Sequence, residues 1–467
     1  MWRERIKPNQ HLSARLLNHI STAMDGRKFY CLAHVEPLSS DAFVGTALVN
    51  MYSKFSDIIE AEGVFQKMLR RDIIAWTAML TAYVDHGKAE KALQLYCNMQ
   101  AEGIIPDDRV FVFSIQACGI LAEEEEAYFI DGQAMKCVSL SIGRALHSDA
   151  DEHGYASNVY VGTTLISMYG KCGAISEAEE VFVALPQKNV ATWNSMLCTY
   201  LEQRVGERAL SLYQAMLKEH VPCNDITLIC ILQACSEVGS LEMCKQIHFH
   251  IETVGYDQDS TILSSLIHAY GSCGETKISE ATFTELLAAD VVSWSACISG
   301  HAGKGDCAAS VELFEKMQLA GVHPNEFTLS SILVACSHAG LIAEGLDFFS
   351  FLRQNALLDP DLKHYNSMVD LFGRAGNFKG IEYMLHRMPM EGDLTFWLCV
   401  LCVCRIHGNI EVGKQAFDHA ILLQPDYLAA YTILSNIYTD AGLQEKAAQL
   451  RMSIHLMGSE EAWREVE

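Results

Sequence analysis

Residues 291–325 read VVSWSACISGHAGKGDCAASVELFEKMQLAGVHPN, and their spacing decides the fold. Trp294 and Ile298 stand four apart on one helical face. Ser310, Phe314 and Met317 continue such a stripe, and Gly321 with Pro324 ends it. A glycine just past the last periodic residue, with a proline soon after, terminates a helix. The stretch therefore predicts two short antiparallel helices and a stop. A pair of this length cannot bury its apolar faces alone, so it needs stacked neighbours.

The chain supplies them. Residues 73–107 carry Trp76, Ala92, Tyr96, Met99, Gly103 and Pro106 at the same offsets, and residues 190–224 carry Trp193, Ala209, Tyr213 and Met216. Trp193 to Trp294 spans 101 residues, as does Cys235 to Cys336. Trp76 to Trp193 spans 117, as does Cys118 to Cys235, so one intervening copy holds sixteen extra residues. The 101-residue period divides into units of 31, 35 and 35. Such self-similarity marks a repeat architecture and overrides the several-domain expectation from a length of 467. The fold expected is all-α: a solenoid of antiparallel helix-turn-helix repeats.

Only nine prolines and an apolar half of the composition suit a largely ordered helical chain. The seventeen cysteines include repeat-equivalent sets (Cys118, Cys235 and Cys336; Cys172 and Cys273), which reads as buried packing thiols in a reducing compartment. The net charge of −24 argues against a simple phosphate-gripping binder, which is basic on one face. No apolar run is long enough to span a bilayer; the longest, around 394–404, suits a buried helix. Arg3, Arg5, Lys7 and Arg15 against Glu4 fit an organelle transit peptide and equally an ordinary start.

In order, residues 1–41 form a degenerate segment ending in a partial unit, GRKFYCLAHVEPLSSD at 26–41. Tandem units follow from 42 to 393, with an insertion at about 123–141 whose four consecutive glutamates predict a surface excursion. Two hairpins of 34 residues each occupy 394–461, and residues 462–467 are a tail. The incomplete first unit and abrupt end would also suit a truncated product.

WNSML with a downstream ALSLYQAM, ISMYGKCGAISEAEEVF and SSILVACSHAGLIAEGLDFF resemble the pentatricopeptide repeat proteins of plants. The resemblance covers about nine-tenths of the chain and implies that the all-α solenoid winds as a right-handed superhelix. It is to the PLS subfamily, whose motifs alternate in three lengths, and WLCVLCVCRIHGNIEVG with AAYTILSNIYTDAGLQEKAAQLR is similar to its E-type terminal modules, with no DYW deaminase domain following. The resemblance implies a sequence-specific binder of single-stranded RNA in a mitochondrion or chloroplast, commonly serving cytidine-to-uridine editing. It also implies that the fifth and last residues of each unit meet one base.

The chemistry of that pair follows from donors and acceptors. An ionised Asp only accepts, suiting the imino N–H of guanine or uracil, whereas Asn also donates, suiting adenine or cytosine. A short hydroxyl at the fifth place leaves room for a purine; Asn reaches a pyrimidine edge. Thr46 with Asp72 and Thr77 with Asp107 then suggest guanine, Thr163 with Asn189 adenine, and Asn194 with Asn224 cytosine. Ser264 with Asp290 suggests guanine, Ser295 with Asn325 adenine, and Asn366 with Asp393 uracil. Val112, Ile229 and Ser330 hold the fifth place of the cysteine-bearing units, which act as spacers. The expected target is 5′-G-G-x-A-C-x-G-A-x-U-3′. The same residue types serve as ordinary helix caps, and seven pairs at matching offsets are what favours decoding. Decoding requires Thr77, Asn194, Ser295 and Asn366 to stand open on one surface. Trp76, Trp193, Trp294 and Trp397 could stack on bases, but Tyr365 and Tyr431 replace them in sister units, which favours core packing.

His250-Ile251-Glu252 and Cys399-Val400-Leu401-Cys402 are fragments of the zinc deaminase signature. Leu398 stands where the signature has proline, and about 150 residues separate the fragments, so neither a metal nor another cofactor is assigned. GRAGNFKG at 373–380 crosses an interhelical turn and is no phosphate loop. Catalysis by this chain is not expected; an editing role would need a deaminase or editing cofactor protein in trans, docking on the terminal hairpins. No membrane or small-molecule substrate is implied. The rival reading is a tetratricopeptide-like scaffold for protein partners without RNA decoding, which the acidity favours.

Overall fold

The computed structural model describes residues 42–130, 133–286, 288–354, 360–389 and 391–464. The degenerate segment 1–41 with its partial unit, and residues 465–467 of the tail, lie outside them. The described residues form twenty-four helices and one short two-stranded ribbon, in two compact bodies meeting in sequence at Val238 and Gly239.

The first body pairs α1 (Ala42–Lys54) with α2 (Ile58–Lys67), α3 (Ile73–Asp85) with α4 (Ala89–Ala101), and α5 (Asp108–Glu124) with α6 (Cys137–Glu152). It continues with α7 (Val159–Lys171) and α8 (Ile175–Ala184), α9 (Val190–Glu202) and α10 (Gly206–Lys218), and ends on α11 (Asp225–Val238). The second body opens on α12 (Leu241–Val254). It then pairs α13 (Ser260–Ser272) with α14 (Thr276–Glu285), α15 (Val291–Gly303) with α16 (Cys307–Leu319), and α17 (Glu326–Ala339) with α18 (Ile342–Gln354). The last hairpins are α19 (Leu362–Arg374) with α20 (Phe378–Arg387), α21 (Leu394–His407) with α22 (Ile410–Leu423), and α23 (Leu428–Asp440) with α24 (Gln444–Arg464). Within each body the first helix of a hairpin packs on the first helix of the next, and each second helix whose first helix lies in the same body packs against it. This is the helical-repeat stacking expected of the sequence.

Small, periodic contacts hold the stack. The aromatic fourth residue of a first helix meets an aromatic ring from the preceding second helix edge-on. Phe65–Trp76, Phe182–Trp193 and Phe283–Trp294 lie 5.1, 5.0 and 4.6 Å apart between centroids, and Phe349–Tyr365 and Phe417–Tyr431 repeat the contact at 5.3 and 4.9 Å. Edge-to-face geometry at this range adds about 1 kcal/mol beyond area burial. Trp76, Trp193, Trp294 and Trp397 are all buried, which removes them from any surface that stacks on bases. Trp397 differs in lying flat against His419 at 4.2 Å.

Glycine decides one contact outright. A Cβ on Gly271 of α13 would come 2.8 Å from the Cα of Gly300 in α15, so these two backbones touch because neither has a side chain. The turns use the left-handed region, with Gly305 and Gly321 at φ 80° and 74°; in the 190–224 unit Arg204 and His220 hold the same two places at φ 55° and 54°.

The inserted segment is more ordered than its glutamates suggest. Glu123 and Glu124 complete the last turn of α5, and the Glu125 carboxylate accepts from the Val138 and Ser139 amides at 2.8 Å, capping α6. Between them β1 (Tyr128–Ile130) pairs antiparallel with β2 (Gln133–Met135). The Lys136 amide then donates to the Cys172 carbonyl at 3.0 Å, pinning the ribbon to the α7–α8 turn. A carboxylate facing two free helix N–H groups is better satisfied there than in water, so only part of the run is a surface excursion. Cys118, Cys235, Cys336 and Cys172 are fully buried, and burial pushes the Cys336 thiol up to about 12.

Candidate nucleic-acid interface

The last residue of each unit is the N-cap of the next unit's first helix. Asp72, Asp107, Asn189, Asp290 and Asp393 accept the amides of Ala75, Val110, Thr192, Ser293 and Phe396 at 2.7–2.9 Å. Asn224 and Asn325 accept those of Thr227 and Thr328 at 3.0 and 2.9 Å. Each cap satisfies an otherwise unpaired helix donor and is worth about 1 kcal/mol. It uses one side-chain oxygen. The second group of the same side chain, a carboxylate oxygen in Asp or an amide NH2 in Asn, is left for another partner.

Packing of first helix on first helix brings the fifth residue of a unit to that cap. The Asn194 Nδ2 donates to Asn224 Oδ1 at 2.9 Å, and the Ser295 hydroxyl reaches Asn325 Oδ1 at 3.5 Å. In these two units the residues assigned to one base, thirty positions apart, are thus side by side. Asp72, Asn189, Asp290 and Asp393 are exposed; Asp107, Asn224 and Asn325 are half-buried.

The fifth residues depart from the expectation of an open single file. Asn194, Ser264, Ser295 and Thr46 are 6, 4, 2 and 8% exposed, while Thr77, Thr163 and Asn366 are half-buried. The fifth residue lies one turn into its helix, where the next unit's cap covers it. Thr46 and Thr77 bond back to the Ala42 and Ile73 carbonyls, each at 2.7 Å. Asn366 Oδ1 is buried without a hydrogen-bond partner. Asn194 and Ser295 therefore do not stand open, so the open file of fifth residues that decoding was expected to require is not met at these two; in both pairs the last residue, Asn224 or Asn325, is the more exposed member. Of the spacers, Val112, Ile229 and Ser330 are all half-buried.

Two further positions were not singled out from the sequence. The second residue of many first helices is a large, exposed apolar side chain: Phe43, Ile74, Tyr160, Ile226, Val292 and Phe327, with Tyr160 71% and Ile74 65% exposed. Its sequence signal is an apolar residue one place after the helix start and off the core stripe. The third residue of several units is a buried hydroxyl, seen in Thr192, Thr227, Ser293 and Thr328. Ile74, Arg109 and Tyr160 line a cleft of about 690 Å³ together with Thr77, Asp107 and Val112, so second, fifth and last positions share one recess.

Positive charge is sparse here. Among the second residues, cations stand only at Arg109 and Lys363, both exposed. Partial burial pushes the Asp290 carboxyl up, but the Ser293 amide and hydroxyl outweigh it and hold the group below the usual carboxylate range. Asp290 thus remains an acceptor throughout the neutral range. His250 and the Cys399–Cys402 pair lie within α12 and α21 as parts of packed repeats, and among the described residues no cluster of metal-ligating side chains occurs. Nor, among those residues, is any helix long and apolar enough to cross a membrane.

A PPR repeat family profile matches residues 71–119, 188–237 and 289–338, and a PPR repeat profile matches 46–73, 163–190 and 363–393. A mitochondrial pentatricopeptide repeat-containing protein of Arabidopsis thaliana is 35% identical over 451 residues, covering 92% of this chain and 48% of that protein. The chloroplastic protein CRR2 of the same plant is 31% identical over 434 residues, covering 91% and 64%. Another Arabidopsis thaliana relative is 30% identical over 454 residues, covering 97% and 74%. The chain spans about half to two thirds of the length of the first curated relatives it matches. Among solved structures, the pentatricopeptide repeat protein PPR10 from maize superposes with a TM-score of 0.52 at 16% identity, covering 98% of this chain and 75% of that one. PPR10 in complex with an 18-nt psaJ RNA element gives 0.53 at 16%, covering 97% and 75%.

Proposed function

This chain belongs to the pentatricopeptide repeat family, and from that premise we propose that it binds single-stranded RNA in a sequence-dependent way inside a plant organelle. The observation that carries the reading is the direct meeting of a unit's fifth and last residues in two units, tighter in Asn194 Nδ2 to Asn224 Oδ1 at 2.9 Å than in Ser295 to Asn325 at 3.5 Å. The pair presents one defined outward group, a donor from Asn or an acceptor from Asp, which is what recognition of a base edge needs. Exposed apolar second residues such as Tyr160 and Ile74 supply the faces on which unstacked bases pack. With little positive charge along these positions, binding leans on base contacts more than on phosphate neutralisation.

The target assigned is 5′-G-G-x-A-C-x-G-A-x-U-3′, with the last residue of each unit as the outer reader and the fifth behind it. The relatives named as mitochondrial or chloroplastic support an organellar setting. As a PLS-type chain with E-type terminal hairpins, it would select a site for cytidine-to-uridine editing and leave the chemistry to a deaminase in trans. Leu422 and Leu423, both exposed at the end of α22, give such a partner an apolar contact. The test is a titration of the full chain with this decamer and a scrambled one. Equal affinity for the two would overturn sequence reading and leave the scaffold reading in its place.

A further inference from the structure

Four times in the described chain, the hydroxyl at the third place of one unit sits between the two base-reading residues of the unit before it. The Thr227 Oγ1 is within 2.7 Å of Asn194 Oδ1 and 2.8 Å of Asn224 Oδ1. Thr328 Oγ1 is 2.6 Å from the Ser295 hydroxyl and 2.8 Å from Asn325 Oδ1. Ser293 Oγ is 2.7 Å from the Ser264 hydroxyl and 2.8 Å from Asp290 Oδ1, and Thr192 Oγ1 is 2.9 Å from that of Thr163 and 3.0 Å from Asn189 Oδ1. All four hydroxyl residues are fully buried, so no base touches them.

Their effect on the readers follows from counting donors. Asn224 Oδ1 accepts the Thr227 backbone N–H and the Asn194 side-chain NH2, two donors that cannot reverse, with the Thr227 hydroxyl also in reach, which forces the oxygen inward and the NH2 outward. An amide rotated by half a turn would point NH2 at two donors. A hydroxyl has one proton, so Thr227 can satisfy Asn194 Oδ1 or Asn224 Oδ1 fully, but not both at once. The inner and outer readers are therefore coupled through that proton. Where the third residue is not a hydroxyl, the coupling is absent. Ala75 and Val110 follow Asp72 and Asp107, and Phe396 follows Asp393, where Asn366 Oδ1 is left without a partner.

We infer that Thr192, Thr227, Ser293 and Thr328 are specificity-determining positioning residues, which fix the outward hydrogen-bonding group of the preceding unit's reading pair. The inference rests on the RNA-reading proposal above. The four units closed in this way discriminate among bases more sharply than the three open ones, whose readers are Thr46 with Asp72, Thr77 with Asp107, and Asn366 with Asp393.

The test is Thr227→Val in the full chain, which keeps shape and the capping amide but removes the proton. Anisotropy titrations would use the decamer with each of the four bases in turn at its fifth nucleotide, and again at its eighth. The expected result is that preference for cytosine at the fifth nucleotide drops about fivefold. Preference at the eighth stays as in the wild type, and Thr227→Ser restores the fifth. Thr328→Val should give the converse, loosening only the eighth. A merely structural role would weaken every oligomer alike and leave both preferences unchanged, and that result overturns the inference. If the unaltered chain shows no base preference at either nucleotide, the reading of RNA falls, and this inference with it. If it does and Thr227→Val leaves the ratio intact, only this inference falls.

Discussion

Replacing Asn224 by Asp changes the outward group of one reading pair while keeping its inward bonds. The Oδ1 of Asn224 accepts the Thr227 amide at 3.0 Å, the Thr227 hydroxyl at 2.8 Å and Asn194 Nδ2 at 2.9 Å. A carboxylate oxygen accepts all three. The cap and the link to α9 therefore survive, and a negative charge at a helix N-terminus adds up to about 1 kcal/mol in its favour. Melting temperature should stay level or rise slightly. The outward amide NH2, a donor, becomes an acceptor oxygen. Cytosine then meets acceptor against acceptor, whereas the imino N–H of uracil gains a partner. Losing one bond and leaving a polar group unpaired costs about 1–3 kcal/mol, so the cytosine-to-uracil preference at the fifth nucleotide should shift by about 5- to 150-fold toward uracil. Anisotropy titrations with the two decamers, run beside a thermal melt of each protein, measure both quantities. A preference ratio unchanged within twofold, in a variant that melts like the wild type, would refute outward reading by the last residue.

Three other perturbations probe the scaffold and the surface. Gly271→Ala places a methyl against the Gly300 backbone at 2.8 Å; overpacking of this kind costs about 1–3 kcal/mol, and a thermal melt equal to wild type would refute the close approach. Arg204→Gly with His220→Gly relieves two side-chain-bearing residues from the left-handed region, at φ 55° and 54°. Strain of about 1 kcal/mol per site, partly offset by glycine's entropy, should leave a net gain readable as a higher urea midpoint. Tyr160→Ala removes an exposed ring beside the α3–α5 cleft. RNA affinity should fall by about 1–3 kcal/mol, and the loss should be the same whichever base lies opposite, since a ring face does not distinguish donors from acceptors. A loss confined to one base would show that Tyr160 reads an edge instead.

The periodic residues alone carried the architecture. Trp76, Trp193 and Trp294 at one offset, with glycine and proline at the stops, specify short helices that need stacked neighbours. That requirement is local chemistry repeated, so it is legible along the chain. The pairing of Asn194 with Asn224 came from the resemblance to the repeat family, and the unit length only placed its two positions in this chain. Exposure was not. Whether Asn194 faces solvent depends on how closely α11 approaches α9, and the structure brings a cap over it. The hydroxyls of Thr227 and Thr328 look in sequence like ordinary residues of a helix's first turn. Only the packing of one first helix on the next shows each bridging two side chains of the preceding unit. Spacing along a strand of residues fixes what can recur; distances between neighbouring helices decide which side chains share a proton.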